Sequence, residues 1–162
     1  MMRHIAKLKF AAIVFGMLAV AACSSSDRPD LQQQEAAVPG SERDFVLNVG
    51  DRVFFTTDVT TLSDEARETL RRQAAWLKLY PQIKVQVEGH ADERGTREYN
   101  LALSAQRATN VRNFLVSQGI DASRLSTIAY GKERPVALCD AESCWSQNRR
   151  AVTVIMSGAA SG

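Results

Sequence analysis

Residues 83–100 read IKVQVEGHADERGTREYN, and this stretch decides the fold that the sequence predicts. Ile83, Val85 and Val87 alternate with polar residues, a period of two that is typical of a strand with one buried face. The polar segment 89–99 follows, and its glycines favour a loop. A helical pattern begins where the loop ends. A strand, a loop and a helix are therefore expected in succession.

Apolar periods on both sides of this stretch predict the remaining elements. Ser63 is a suitable cap for a first helix that Pro81 ends, and its apolar positions recur every four residues: Leu62, Ala66, Leu70, Ala74 and Leu77. A second helix is expected from about Glu98 to Gln118, with Leu103, Ala108, Val111 and Leu115 facing inward. Short strands are expected at 52–55, 125–130 and 151–155, and residues 132–147 are expected to form a loop.

The order β-α-β-α-β-loop-β predicts an α+β fold. Two amphipathic helices must each bury one face, and a sheet with alternating strands offers one apolar face to cover. We therefore expect a two-layer sandwich with both helices packed on one face of a mixed four-stranded sheet.

The first residues are typical of a lipoprotein signal. Basic residues are followed by the apolar run 10–22, which is shorter than a membrane span needs and suits a secretory signal peptide, 1–22, better than a retained anchor helix. The run ends in Val20-Ala-Ala-Cys23, which resembles a bacterial lipobox with cleavage before Cys23 and acylation of that cysteine. Ser24 follows instead of an aspartate and points to the outer membrane.

Composition divides the rest of the chain. Residues 23–44 are expected to form a lipidated N-terminus and flexible linker, 45–156 one folded domain, and 157–162 a disordered tail. Because residues 1–22 contain three basic and no acidic residues, the remaining chain has 17 basic and 18 acidic residues. This near-neutral balance gives no electrostatic case for binding nucleic acid.

The loop and the helix that follows it carry the candidate site. Asn100, Leu103 and Arg107 share one helical stripe beside the apolar face, so Arg107 is expected to be partly buried and to need a counter-charge, for which Asp92 is the nearest choice. One interpretation is a structural ion pair. The other is a clamp in which Asp92 accepts an ammonium group and Arg107 binds a carboxylate, with helix amides near Thr96 as a further anion contact.

Five separated motifs resemble the outer-membrane-protein-A-like (OmpA-like) domain family over residues 48–156: GHADERGT at 89–96, YN at 99–100, LSxxRA at 103–108, YGKExP at 130–135 and NRRA at 148–151. The resemblance implies that Asp92 and Arg107 clasp the diaminopimelate residue of the peptidoglycan stem peptide. It places Asn100, Leu103 and the strand end from Phe55 through Thr56 to Thr57 near this ligand. Thr56-Thr57 stands where relatives often have Gly-Phe, so these backbone contacts are less secure.

The motif Asn148-Arg149-Arg150 leaves two interpretations open. It could be a solvated basic turn before the last strand. The resemblance instead implies a position near the pocket, where it orients Asp92 or meets the peptide.

Cysteine and histidine content argues against catalysis and metal binding. Cys139 and Cys144 are close in sequence and are expected to form a disulfide in an oxidising periplasm. Neither residue has the further ligands that a metal site needs, and no cofactor motif is present. His90 is the one histidine after residue 22, and no nucleophile elbow accompanies it. A structural, pH-responsive histidine is the favoured interpretation.

The resulting hypothesis is a lipoprotein anchored in the outer membrane whose periplasmic domain holds peptidoglycan non-covalently. The resemblance also implies a partner, the translocation protein B of the Tol system, and a role in cell division. The alternative is an interaction lipoprotein of the envelope that has no affinity for the wall.

Overall fold

The structure, a computed structural model, describes residues 37–161. The predicted signal peptide, Cys23 and the first part of the predicted linker lie outside these residues. Within residues 37–161 no helix is both long and apolar enough to cross a membrane.

Four strands form one mixed sheet in the order β1-β4-β2-β3. Their bounds are Arg52–Phe54 for β1, Lys84–Gly89 for β2, Leu125–Ala129 for β3 and Arg150–Ser157 for β4. The inner strand β4 runs antiparallel to both β1 and β2, whereas β2 and β3 are parallel. The prediction of a mixed four-stranded sheet is confirmed.

Two long helices cover one face of this sheet. The first, α2, spans Asp64–Leu79 and begins at Ser63, whose hydroxyl accepts a hydrogen bond from the Ala66 amide at 3.1 Å. The second, α3, spans Arg97–Ser117. The layer between helices and sheet is apolar and includes Leu70, Leu77, Ile83, Val85, Val87, Ala108, Val111 and Leu115. Burying each of the larger side chains contributes about 1.5–3 kcal/mol, and such burial is the dominant favourable contribution to folding.

A glycine sets the distance between α3 and β2. A Cβ atom on Gly89 would lie 1.9 Å from the Ser104 carbonyl oxygen, so only glycine permits this approach of helix and strand backbones. Gly89 is also the last residue of β2, and the loop that contains Asp92 begins directly after it. The close contact of Gly89 with α3 therefore also fixes where that loop begins relative to the helix.

The domain begins earlier than the sequence predicted. Residues 37–44, expected in the flexible linker, are ordered and include a short helix α1, Glu42–Asp44, that continues into a π-helical turn, Phe45–Val49. The Asp44 carboxylate accepts hydrogen bonds from the Gly40 amide at 2.9 Å and the Trp76 indole at 2.8 Å. A polar sequence thus gains its order from tertiary contacts that no local pattern reveals.

The C-terminal end also differs from the prediction of a tail from residue 157. Strand β4 continues to Ser157, and the Ala160 amide donates to the Gly40 carbonyl at 3.0 Å. The two ends of the described chain therefore stabilise each other.

The segment expected to be a loop at 132–147 contains a short helix, α4, Glu142–Asn148. Seven residues are too few for an apolar period to identify a helix. Cys139 and Cys144 are joined by a disulfide that ties the preceding chain to the first turn of α4, with their Cα atoms 5.7 Å apart.

Candidate functional site

Asp92 lies at the end of the sheet from which the β2–α3 loop emerges. Its side chain is almost buried, and its two oxygens accept four N–H groups. One oxygen accepts from the Arg94 amide at 3.1 Å and Arg94 Nε at 3.2 Å. The other accepts from Arg94 Nη2 at 2.6 Å and Arg149 Nη1 at 3.1 Å. Burial alone raises the pKa of Asp92, but these bonds outweigh it and hold the pKa below its usual value.

Arg149 connects three parts of the chain behind Asp92. It follows α4, is buried, and donates to the Phe55 carbonyl at 3.0 Å as well as to Asp92. It also forms an ion pair with Glu142 of α4, whose pKa the hydrogen bond from Arg149 lowers. Of the two interpretations of the Asn148–Arg150 motif, the structure places Arg149 against Asp92.

Arg94 covers the outer side of the Asp92 carboxylate. Its side chain is 39% exposed, and its guanidinium carbon lies 4.1 Å from the centre of the Trp145 ring. The Trp145 indole donates to Glu93 at 2.7 Å, so the loop and α4 are joined at this point.

Arg107 is fully buried, and its contacts differ from those that the sequence predicted. Its guanidinium donates to the carbonyls of Val59 at 3.0 Å, His90 at 2.9 Å and Thr56 at 3.1 Å. Among the ion pairs of residues 37–161 there is none between Arg107 and Asp92, which pairs with Arg94 and Arg149 instead. Burial, with repulsion from Arg149, lowers the pKa of Arg107 to about 10, so the group stays charged at neutral pH.

The predicted structural ion pair between Arg107 and Asp92 is therefore not made. Backbone carbonyls take the place of the counter-charge, because a planar guanidinium has five N–H donors and can satisfy several carbonyls at once. Three of the donors are used, and two remain.

The other predicted site residues surround these charges in different roles. Asn100 is buried and donates to the Arg94 carbonyl at 2.7 Å, which holds the loop. Thr96 caps α3 and accepts from the Tyr99 amide at 3.2 Å, whereas Leu103 is only half-buried. Phe55 is buried with its ring 4.9 Å from the Arg107 guanidinium, and the side chain of Thr56 is exposed.

An open groove of about 790 Å³ adjoins this cluster. Its lining includes Phe54, Phe55 and Thr56 at the end of β1, and Glu142, Ser146 and Arg149 in and after α4. Phe55, Thr56 and Arg149 thus belong both to the groove and to the charged cluster, and a ligand in the groove would lie beside them.

His90 lies two residues before Asp92 in the same loop and is buried. Neither ring nitrogen has a hydrogen-bond partner among the described residues. Burial, followed by the charges of Arg150, Arg134 and Arg52, lowers the pKa of His90 to about 4. This outweighs Glu88, whose carboxylate lies 3.5 Å from Nε2 and favours the charged ring. The histidine is therefore neutral at physiological pH.

Sequence reasoning missed Arg94, Glu142 and Trp145 as parts of the site. Arg94 is part of the loop motif but has no pattern that indicates a role, and the other two lie in the segment expected to be a loop. An acidic and an aromatic residue beside two neighbouring cysteines are the signal that could have directed attention to α4.

Comparison with known proteins agrees with this architecture. The model of the OmpA family matches residues 54–149, more than half of the chain. A peptidoglycan-associated lipoprotein of Mesorhizobium japonicum is 59% identical over 151 residues, which cover 90% of this chain and 89% of the relative. One from Agrobacterium fabrum is 65% identical over 120 residues, 74% of this chain and 68% of the relative.

Solved structures show the same fold. The crystal structure of the peptidoglycan-associated lipoprotein from Burkholderia pseudomallei has a TM-score of 0.64 at 40% identity, and the match covers 65% of this chain and 90% of that one. The C-terminal domain of Helicobacter pylori MotB has a TM-score of 0.62 at 22% identity, over 66% of this chain and 84% of that one, and shares the fold alone. With its mixed sheet, its two covering helices and the matched residues 54–149, the chain belongs to the peptidoglycan-associated lipoproteins of the OmpA family.

Proposed function

We propose that this protein binds peptidoglycan non-covalently, with Asp92 as the acceptor for the ammonium group of a diaminopimelate side chain. The observation that carries the proposal is the Asp92 carboxylate at the loop end of the sheet, surrounded by arginines and next to an open groove. Charge-assisted hydrogen bonds contribute about 1.5–3 kcal/mol each, so a few of them suffice for reversible binding of a small epitope.

The second charged group of diaminopimelate is a carboxylate, and the buried arginines Arg107 and Arg149 are suited to it. Arg107 retains two N–H donors, and the first amides of α3 beyond Thr96 add a positive dipole end. Because Arg107 has no exposed surface, its direct contact with a ligand requires the segment 56–59 to move. Without such a movement, Arg107 acts on the ligand through its charge and by holding the loop carbonyls.

The relatives' name and the lipobox support a location for this binding. We propose that acyl chains on Cys23 hold the protein in the outer membrane while the folded domain holds the wall. Many copies on one repeating lattice would bind multivalently, so weak single contacts give a durable but reversible attachment. We further propose the translocation protein B of the Tol system as a partner in envelope integrity and cell division, as the family resemblance implies.

Co-sedimentation with purified sacculi tests the binding. The wild-type protein is expected to pellet in the absence of other proteins, and the Asp92→Asn variant, which keeps the size but loses the charge, is expected to remain in the supernatant. Glu68→Gln is the matched control, because it removes an exposed carboxylate on α2. Equal pelleting of the wild type and Asp92→Asn would contradict the role of Asp92.

The same experiment separates the alternatives. An envelope lipoprotein that binds only other proteins would leave the wild type in the supernatant. An enzyme would release soluble muropeptides from the sacculi, and we expect none.

A further inference from the structure

The Asp92 carboxylate has no free acceptor position in this structure. A carboxylate offers about four lone-pair sites, and Asp92 accepts four N–H groups: the amide, Nε and Nη2 of Arg94, and Nη1 of Arg149. A ligand ammonium that binds Asp92 must therefore displace one of these donors.

Arg94 is the donor that can leave. Its side chain is 39% exposed, so its charge can move into water at little desolvation cost. The side chain of Arg149 is 5% exposed and is also held by the Phe55 carbonyl and Glu142. Displacing Arg149 would leave its own buried guanidinium and the Phe55 carbonyl without these partners.

Arg94 also has a defined position and is not a freely moving surface side chain. Its guanidinium stacks on Trp145 at 4.1 Å, and Nη2 donates to the Thr57 hydroxyl at 3.2 Å. Its carbonyl accepts from Asn100 at 2.7 Å, which fixes the backbone below it. A cation held between a carboxylate and an aromatic ring is the arrangement that a bound ammonium ligand would have.

We propose that Arg94 is a built-in competitor that occupies the ammonium position of the site and leaves it when the ligand binds. The inference rests on the proposed function and adds a residue that sets its affinity. The competition weakens every ligand with an ammonium group by the same factor, because the same contact is displaced each time. It does not itself distinguish ligands that differ only in their carboxylate.

Calorimetric titration with a diaminopimelate-containing muropeptide tests the proposal. Arg94→Ala and Arg94→Gln are expected to bind about threefold more tightly than the wild type, the factor that a partly exposed ion pair provides. Arg94→Lys, which keeps a competing cation, is expected to bind like the wild type. The matched control Arg71→Ala removes an exposed arginine from a surface ion pair and is expected to change nothing.

The outcomes separate this inference from the proposed function. Wild-type binding with equal or weaker binding by both Arg94→Ala and Arg94→Gln would overturn the competitor role and leave the wall-binding site in place. Absence of binding by the wild type and by every variant would overturn both. Tighter binding of both neutral variants, with the ratio of diaminopimelate to lysine peptide affinity unchanged, supports the proposal.

Discussion

The helix-covered face of the sheet and the loop end that carries Asp92 are stabilised by different interactions. On the covered face, buried apolar side chains such as Leu70, Leu77 and Val87 pack without polar partners. At the loop end, the buried groups include Asp92, Arg107 and Arg149, which form several hydrogen bonds each, and His90, whose ring nitrogens have no partner among the described residues. A protein can thus place charges beside its core when backbone carbonyls and counter-charges supply most of their hydrogen-bond partners.

Among the substitutions at the loop end, we expect removal of Arg107 to cause the largest loss in the free energy of unfolding. Arg107→Ala removes a donor from three carbonyls, of which the one of Thr56 keeps the Val59 amide, and it leaves a cavity in place of a buried side chain. At about 1–3 kcal/mol for each buried group left unsatisfied, together with the cavity, we expect a loss of ~3 kcal/mol in the free energy of unfolding. This is comparable to the ~2–5 kcal/mol expected for Leu77→Ala in the apolar layer. Urea unfolding measures both losses.

Arg97→Ala is the matched control on the same helix, because Arg97 is exposed and its ion pair with Glu133 is at the surface. We expect a change below about 0.5 kcal/mol for it. If Arg107→Ala is equally mild, the guanidinium does not hold the loop end, and the contrast drawn between the regions is wrong.

Acid is expected to lower the free energy of unfolding through the loop end, because His90 lies there. The pKa of His90 is about 4 in the folded protein and 6.5 ordinarily, so between these values the unfolded chain binds the additional proton. Stability should therefore be complete above pH 6.5 and decrease as the pH falls towards 4, by up to about 3 kcal/mol.

Thermal unfolding at a series of pH values measures this loss, and His90→Phe should flatten the slope between pH 6.5 and 4. The pKa of Asp92 is lowered, so its contribution is lost only at still lower pH, below its ordinary value near 4. An unchanged slope in His90→Phe would show that another group causes the loss.

The disulfide gives the smallest and most local effect. Cys139 and Cys144 close a short loop, and we expect at most about 2 kcal/mol of stability from it. The double variant Cys139→Ser/Cys144→Ser should expose the amides of α4 to faster hydrogen exchange, with a smaller change in α2. Equal acceleration in both helices would mean that α4 is part of the core rather than a wall of the groove.

The two regions also differ in how far the sequence predicts them. The four-residue spacing of Ala66, Leu70 and Ala74 and the alternation around Val85 predicted the covered face, because these patterns are local. The carbonyl partners of Arg107 are 17, 48 and 51 residues away, and no local pattern specifies them.

Family motifs brought Asp92 and Arg107 to attention but did not predict their contacts. Arg94 and Trp145 acquire a role only when α4 folds over the loop, which requires the tertiary structure. The motifs therefore indicate two residues of the candidate site, but neither its geometry nor its full set of residues.

Binding to two kinds of peptidoglycan tests the central claim most directly. Diaminopimelate and lysine present the same ammonium group, but lysine lacks the carboxylate for which Arg107 and Arg149 are suited. We predict that the wild-type protein binds the diaminopimelate form at least about tenfold more tightly, the factor that corresponds to one charge-assisted hydrogen bond. Equal binding to the two forms would contradict a site built for a doubly charged amino-acid end.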